Sequence, residues 1–241
     1  MVQALQRTVV RGPTFIRLLA RLTDAAPSPP GRSLPDRLGQ WLDWTQAIAL
    51  STVLDGRAPT PDPDLPSSDG AEDNECARLR AALARAIADA PELADAGQGS
   101  GERARAAEAA ANAQADYAPF RQRYIELQRK MLMATGSLRG RLRDRLARGS
   151  GDMPRLAAVD AAMELALSAR EQKLLGAVPA LLGEHFERLR AEERKAPGDT
   201  GPAAGAWLGV FRRDMRNVLL AELDVRFQPV EGLLAALRPA N

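Results

Sequence analysis

Three features of the sequence predict an all-α chain. Ala, Leu and Arg dominate a composition in which aromatics reach only 4%, and these three residues cost least in a helix, whereas β-branched residues are sparse. Apolar positions recur at i, i+3, i+4 and i+7 in one segment after another, the spacing of an amphipathic helix. No stretch shows the period-two alternation of a strand, and no repeat at a fixed period of roughly 20–50 residues is visible. With 45% hydrophobic and 27% charged residues over 241 positions, the chain can bury a core and is not disordered throughout.

Phe15, Leu18, Leu19 and Leu22 follow a Gly12-Pro13-Thr14 start signal and predict a short first helix. The three prolines in 26–31 end it. Ser33-Leu34-Pro35-Asp36 reads as an N-cap with an acid three residues on, opening a second helix. Its expected buried stripe is Leu38, Trp41, Leu42, Thr45, Ile48 and Ala49, with Gly56 as terminator. From 56 to 73 the composition turns to Pro, Asp and Ser, with Asp62, Asp64, Asp69, Glu72 and Asp73 against Arg57 alone, which predicts a disordered acidic linker. Leu79, Leu83, Ala86 and Ile87 then mark a short helix ending before Pro91, and 96–101 is a second Gly/Ser break.

The longest helical signal begins near Glu102 and carries Tyr117, Tyr124, Leu127, Met131, Leu138, Leu142 and Leu146, with Pro119 expected to bend it early. After a turn at 149–154, Leu156, Val159, Met163, Ala166, Leu167, Leu174, Val178, Leu182 and Phe186 continue one face, with Pro179 a kink candidate. A short loop between two long helices predicts an antiparallel hairpin. The chain breaks again within 195–205; Trp207, Phe211, Met215, Val218, Leu219 and Leu223 line a last helix, which Leu233, Leu234 and Leu237 extend past Pro229. The expected architecture is a multi-helix bundle with a long antiparallel helical hairpin and two disordered linkers. Its parts are an N-terminal helical pair at 1–55, an acidic linker at 56–75 and a main bundle at 76–241, packed together as one domain.

Catalytic chemistry finds little footing. His185 is the sole histidine, no Gly-x-Ser-x-Gly elbow accompanies it, and Leu181, Leu182, Phe186 and Leu189 surround it, so a structural role is expected. One histidine and the single Cys76 cannot supply a zinc site without two carboxylates from elsewhere. The acid pairs Asp160/Glu164 and Glu192/Glu193 could hold Mg²⁺, yet both stand where arginines can neutralise them. Gly97, Gly99 and Gly101 are spaced like part of a phosphate loop but lack the preceding strand and the following Gly-Lys-Ser/Thr. No metal or cofactor is expected, and enzyme activity stays open only as a nuclease or hydrolase whose acidic site carries no known signature. With one cysteine there is no internal disulfide, the N-terminal region has no signal-peptide pattern, and no apolar run approaches the ~18 residues of a membrane span, so a cytoplasmic protein without membrane insertion is expected.

A formal charge of +2 hides one local imbalance: residues 121–148 hold nine bases against Glu126 and Asp144, a balance of +7. Leu138, Leu142 and Leu146 form a stripe there with arginines on both sides. Two readings follow. In one, Arg139, Arg141, Arg143, Arg145 and Arg148 track a phosphate backbone, with Tyr117 and Tyr124 the only stacking candidates. In the other, the bases pair with acids elsewhere, including those of the acidic linker.

Several segments carry a family resemblance. Arg11-Gly12-Pro13 leads into Phe15-Ile16-Arg17-Leu18-Leu19-Ala20-Arg21-Leu22, and Trp41-Leu42-Asp43-Trp44-Thr45 precedes Ala47-Ile48-Ala49-Leu50-Ser51. Near the other end stand Phe211-Arg212-Arg213-Asp214-Met215, Leu219-Leu220-Ala221-Glu222-Leu223-Asp224 and Gln228-Pro229-Val230-Glu231-Gly232-Leu233-Leu234. Together with 124–189 they resemble the uncharacterised proteobacterial family known as domain of unknown function 3348. The resemblance implies a cytosolic accessory protein of third-subtype Zorya-type antiphage defence, encoded beside a stator-like membrane motor and a peptidoglycan-binding OmpA-like protein. It implies no active-site residues. The expected role is therefore a non-catalytic helical interaction protein with protein partners, among them co-encoded motor components or further copies of itself. DNA is the alternative partner.

Overall fold

The computed structural model describes residues 13–23, 34–56, 71–94, 114–195 and 206–238. Every regular element among them is helical: α1 Thr14–Leu22, α2 Leu34–Trp41, α3 Trp44–Asp55, α4 Ala71–Ala88, a 3-10 turn at Pro91–Leu93, α5 Ala118–Ala147, α6 Met153–Gly176, α7 Val178–Lys195 and α8 Ala206–Leu237. The all-α bundle expected from composition and periodicity is what forms. No helix among these residues is long and apolar enough to cross a membrane.

The chain forms two compact units, and α4, α5 and α8 each supply residues to both. The first unit holds α1, the 3-10 turn, α7 and the parts of α4, α5 and α8 within 84–128 and 206–222. Much of the chain's small aromatic content is concentrated in its core, where Phe186 meets Tyr117, Phe120, Trp207 and Phe211 at centroid distances of 5.6, 5.9, 4.9 and 5.0 Å. Tilted and edge-on pairs of this kind add stabilisation beyond their buried area. Helix α1 packs on α7 through buried Phe15 and Leu22, and Arg188 donates to the Leu22 carbonyl at the open C-terminal end of α1.

The second unit holds α2, α3, α6 and the parts of α4, α5 and α8 within 71–83, 129–147 and 223–237. Its core is aliphatic apart from Phe227: Leu83, Met131, Leu138, Leu142, Leu146, Val230, Leu233 and Leu234 are buried. Helix α3 lies along α6, where Arg155 donates to the Leu54 carbonyl and the Arg170 guanidinium stacks 4.5 Å from the Trp41 ring centroid. The turn from α5 into α6 places Gly151 at φ +63°, a left-handed conformation that strains residues bearing a Cβ. A short turn at 148–152 joins α5 to α6, and the contacts of Arg139 and Arg143 near the end of α5 with Asp160 and Glu164 near the start of α6 show that α6 folds back along α5, as the hairpin reading expects.

Four expectations need correction. The stripe from Leu38 to Ala49 does not run through one helix: the chain leaves the helix between Trp41 and Trp44, and Asp43 caps α3 in a reciprocal capping box with Gln46. The break resets the helical phase, so Thr45, Ile48 and Ala49 are exposed while Gln46, Ala47, Leu50 and Val53 turn inward. Pro119 does not bend α5 but sits at its second position, where its missing N–H costs nothing. The second arm of the hairpin is interrupted at Ala177 into α6 and α7, with Pro179 at the second position of α7, and Leu174 falls on an exposed face. Finally, 71–75 are not linker but the start of α4, with Glu72 and Asp73 in its first turn, where carboxylates favour a helix N-terminus. Residues 57–70 and the break at 96–101 lie outside the described residues, as does the stretch from Glu102 to 113.

Candidate functional site

The basic run folds into α5, and its helical phase settles where each arginine goes. Leu138, Leu142 and Leu146 are spaced i, i+4, i+8 and are fully buried, so the stripe flanked by arginines is core rather than an exposed apolar face. Arg139 and Arg143 lie on one flank, facing α6. Arg139 donates two hydrogen bonds to Asp160, from Nη2 at 2.7 Å and from Nε at 3.0 Å, and approaches Glu164 at 3.4 Å. Arg143 reaches the same two acids, at 3.2 Å for Asp160. The i, i+4 acid pair on α6 therefore meets the i, i+4 base pair on α5, four charges closed into one clamp. Burial opposes the charge of Arg143, yet the facing carboxylates of Glu164 and Asp160 outweigh it and raise its pKa above the ordinary arginine value.

On the other flank, facing α4, Arg141 pairs with Glu75 and Arg145 with Glu72. Both acids stand on the first turns of α4. Of the five residues proposed to contact nucleic acid, these four are thus engaged by carboxylates of the same unit. Arg148, beyond the helix end, donates to the Asp144 carbonyl at 3.2 Å. The two tyrosines proposed to stack on bases belong to the first unit. Tyr124 is fully buried and donates to Glu222 at 2.6 Å. Tyr117 is part-buried and donates to the Pro179 carbonyl, and burial pushes its phenol up to about 12.

His185 lies in the first unit, buried between Arg188 and Asp214. Its Nδ1 is 3.1 Å from Arg188 Nη2 and its Nε2 is 3.0 Å from Asp214 Oδ2. Arginine can only donate, so Nδ1 accepts and Nε2 carries the hydrogen toward Asp214. Asp214 also accepts from Arg21 of α1 at 3.2 Å. Both ring nitrogens are therefore occupied in a chain that ties α1, α7 and α8 together.

Among the described residues, no group of three or more His, Cys, Asp or Glu is placed to hold a metal ion. Asp160 and Glu164 are taken up by arginines, Glu192 is exposed on α7, and Gly97, Gly99 and Gly101 lie outside the described residues. Cys76 is a buried free thiol whose pKa is pushed up by burial, with Glu231 adding to the effect, which keeps it protonated and unreactive. Sequence reasoning missed Glu222, a fully buried carboxylate that also receives Gln128 Nε2 at 3.0 and 3.1 Å. Its signal was weak: an acid inside an otherwise apolar stretch of α8.

An open groove of about 410 Å³ runs between α4 and α5 of the second unit, lined by Glu75, Arg78, Leu79, Ala134, Ser137 and Arg141. Exposed apolar side chains are also prominent: Trp44, Leu165 and Met133 are 81%, 75% and 69% exposed on α3, α6 and α5.

Helices held by arginine–carboxylate clamps, with large apolar side chains turned outward, define an all-α helical protein. The chain belongs to the family described as protein of unknown function (DUF3348), whose model matches residues 1–239. No curated protein and no solved structure matches the chain.

Proposed function

We propose that this protein is a cytoplasmic, non-catalytic interaction protein that docks onto partner proteins through exposed helix faces. The observation that carries this reading is the outward placement of Trp44, Leu165 and Met133, each more than two-thirds exposed on a regular helix. Large apolar residues scattered over a surface are ordinary, but nearly complete exposure of a tryptophan on a helix is the compositional mark of an interface. The occupation of both His185 nitrogens and the neutralisation of Asp160 and Glu164 by arginines support the same reading, since they assign structural work to the groups best suited to catalysis.

The finer reading follows the family resemblance: an accessory component of a third-subtype Zorya-type antiphage system, working with a stator-like membrane motor and an OmpA-like protein. Co-expression of the full chain with those two co-encoded proteins in detergent is the test. Co-elution that weakens in a Trp44→Ala, Leu165→Ala double variant is expected. A chain that elutes alone, as a monomer, in every combination would overturn the reading.

A further inference from the structure

We propose that the groove between α4 and α5 is the docking site for an acidic amphipathic helix of a partner protein. This deepens the interaction reading and rests on it. The groove is walled by Leu79 and Arg78 on α4 and floored by Ala134 and Ser137 on α5. Small floor residues bring the α5 backbone within reach of a packed helix, and the adjoining outer face is open, since a Cβ built on Gly136 or Gly140 would meet nothing within 4 Å. One helical turn before Ser137 stands Met133, 69% exposed. Exposed methionine is an adaptable contact for apolar side chains arriving at helical spacing.

The charges choose the partner. Along the same stretch the bases divide into two sets. Arg139, Arg141, Arg143 and Arg145 are all bound to carboxylates of this unit. Arg78, Arg129 and Lys130 have no carboxylate partner among the described residues. Arg78 lines the groove from α4, Lys130 stands one turn before Ala134 on the same face of α5, and Arg129 stands one turn before Met133 on the adjoining face. Glu75, the acid in the groove wall, is already neutralised by Arg141. The apolar side chains of Leu79, Ala134 and neighbouring Met133, set beside unpaired cations, are complementary to a helix bearing leucine-like side chains on one stripe and carboxylates beside it. A nucleic acid fits less well: three free cations make few phosphate contacts, and no aromatic ring lines the groove.

The test uses the full chain labelled with ¹³C at methionine methyls, titrated with a synthetic helical peptide of leucine at i, i+3, i+4 spacing and glutamate elsewhere. The same peptide with lysine for glutamate, and a short DNA duplex, are titrated in parallel. The glutamate peptide is expected to shift the Met133 methyl while leaving Met153 and Met163 in place, and the lysine peptide is not. Affinity should fall about tenfold in an Arg78→Glu, Lys130→Glu variant. Ser137→Leu, at an exposed position that lines the groove, should stay folded and lose binding by obstruction. Failure of the glutamate peptide to shift Met133, or an equal shift by the lysine peptide, overturns the proposal, and a shift by DNA alone transfers the groove to nucleic acid. If the co-encoded proteins still co-elute with the Arg78→Glu, Lys130→Glu variant, the docking site is elsewhere and the interaction reading stands.

Discussion

Single residues in this chain act mostly by closing polar groups that burial would otherwise strand. Tyr117 is the clearest case with a measurable consequence. Its ring packs on Phe186 and Phe211, its hydroxyl donates to the Pro179 carbonyl, and its phenol is pushed up to about 12 by burial. A pKa raised in the folded state means that the protonated form is the one the fold prefers. The stabilisation is complete below the ordinary tyrosine value of about 10 and disappears as pH rises through the folded value. A Tyr117→Phe variant keeps the ring contacts and removes the titration. Its urea midpoint, compared with that of the parent across alkaline pH, is expected to fall less steeply between about pH 10 and 12; parallel curves would show that Tyr117 does not carry the alkaline loss. At this scale the sequence was only partly informative. The burial of Tyr124, Leu127, Met131, Leu138, Leu142 and Leu146 was legible from spacing alone. The partner of His185 was not, because Asp214 lies 29 positions away on another helix and nothing local marks it.

At the scale of elements, prolines and caps account for the differences between the expected and the observed helices. Pro119 and Pro179 begin α5 and α7 instead of bending longer ones, the position at which a fixed φ and a missing donor are tolerated. Pro229 is the exception, lying inside α8 with buried Val230 and Leu233 just beyond it. The break between α2 and α3 rests on Asp43, whose carboxylate accepts from Gln46 N at 2.7 Å while the Gln46 side chain accepts from Asp43 N at 3.0 Å. This capping box was visible in the sequence as Asp-x-x-Gln, but the apolar residues on either side suggested an unbroken helix. Replacing Asp43 with Ala leaves the Gln46 N–H in the first turn of α3 to water and should cost about 1 kcal/mol. Because α3 packs along α6, hydrogen exchange should quicken first at residues 44–47, ahead of any change in α7. Uniform loss of protection through both units would show that the cap does more than start one helix.

Over the whole molecule, the charge pattern explains why a run of +7 in a chain of net +2 need not advertise a polyanion partner. The acids that answer it are distant in sequence: Glu72 and Glu75 on α4, Asp160 and Glu164 on α6. Their spacing was legible, as i, i+3 and i, i+4 pairs, but their pairing was not, since which helices become neighbours is a property of the fold. The two sides of the run also differ in strength. Arg141 and Glu75 are each about half exposed, and a pair of that kind contributes at most about 1 kcal/mol. Arg139 and Asp160 are 15% and 11% exposed, and losing Arg139 together with Arg143, the second arginine on Asp160, leaves a shielded carboxylate without compensation, a change on the order of 3 kcal/mol. Exchanging Arg139, Arg141, Arg143 and Arg145 for Gln should therefore lower stability by about 4 kcal/mol in urea, while Arg141→Gln alone should cost less than about 1 kcal/mol. Adding Asp160→Asn to the four-Gln variant should restore part of the loss, because it removes the uncompensated charge. Duplex DNA titrated over a salt series provides the opposing result. Arginines already held by carboxylates release few counterions, so the affinity of the parent should depend only shallowly on salt. A steep dependence abolished in the four-Gln variant, with its urea midpoint unchanged, would mean that these arginines leave their carboxylates to hold phosphates and that the clamps are not what binds α5 to its neighbours.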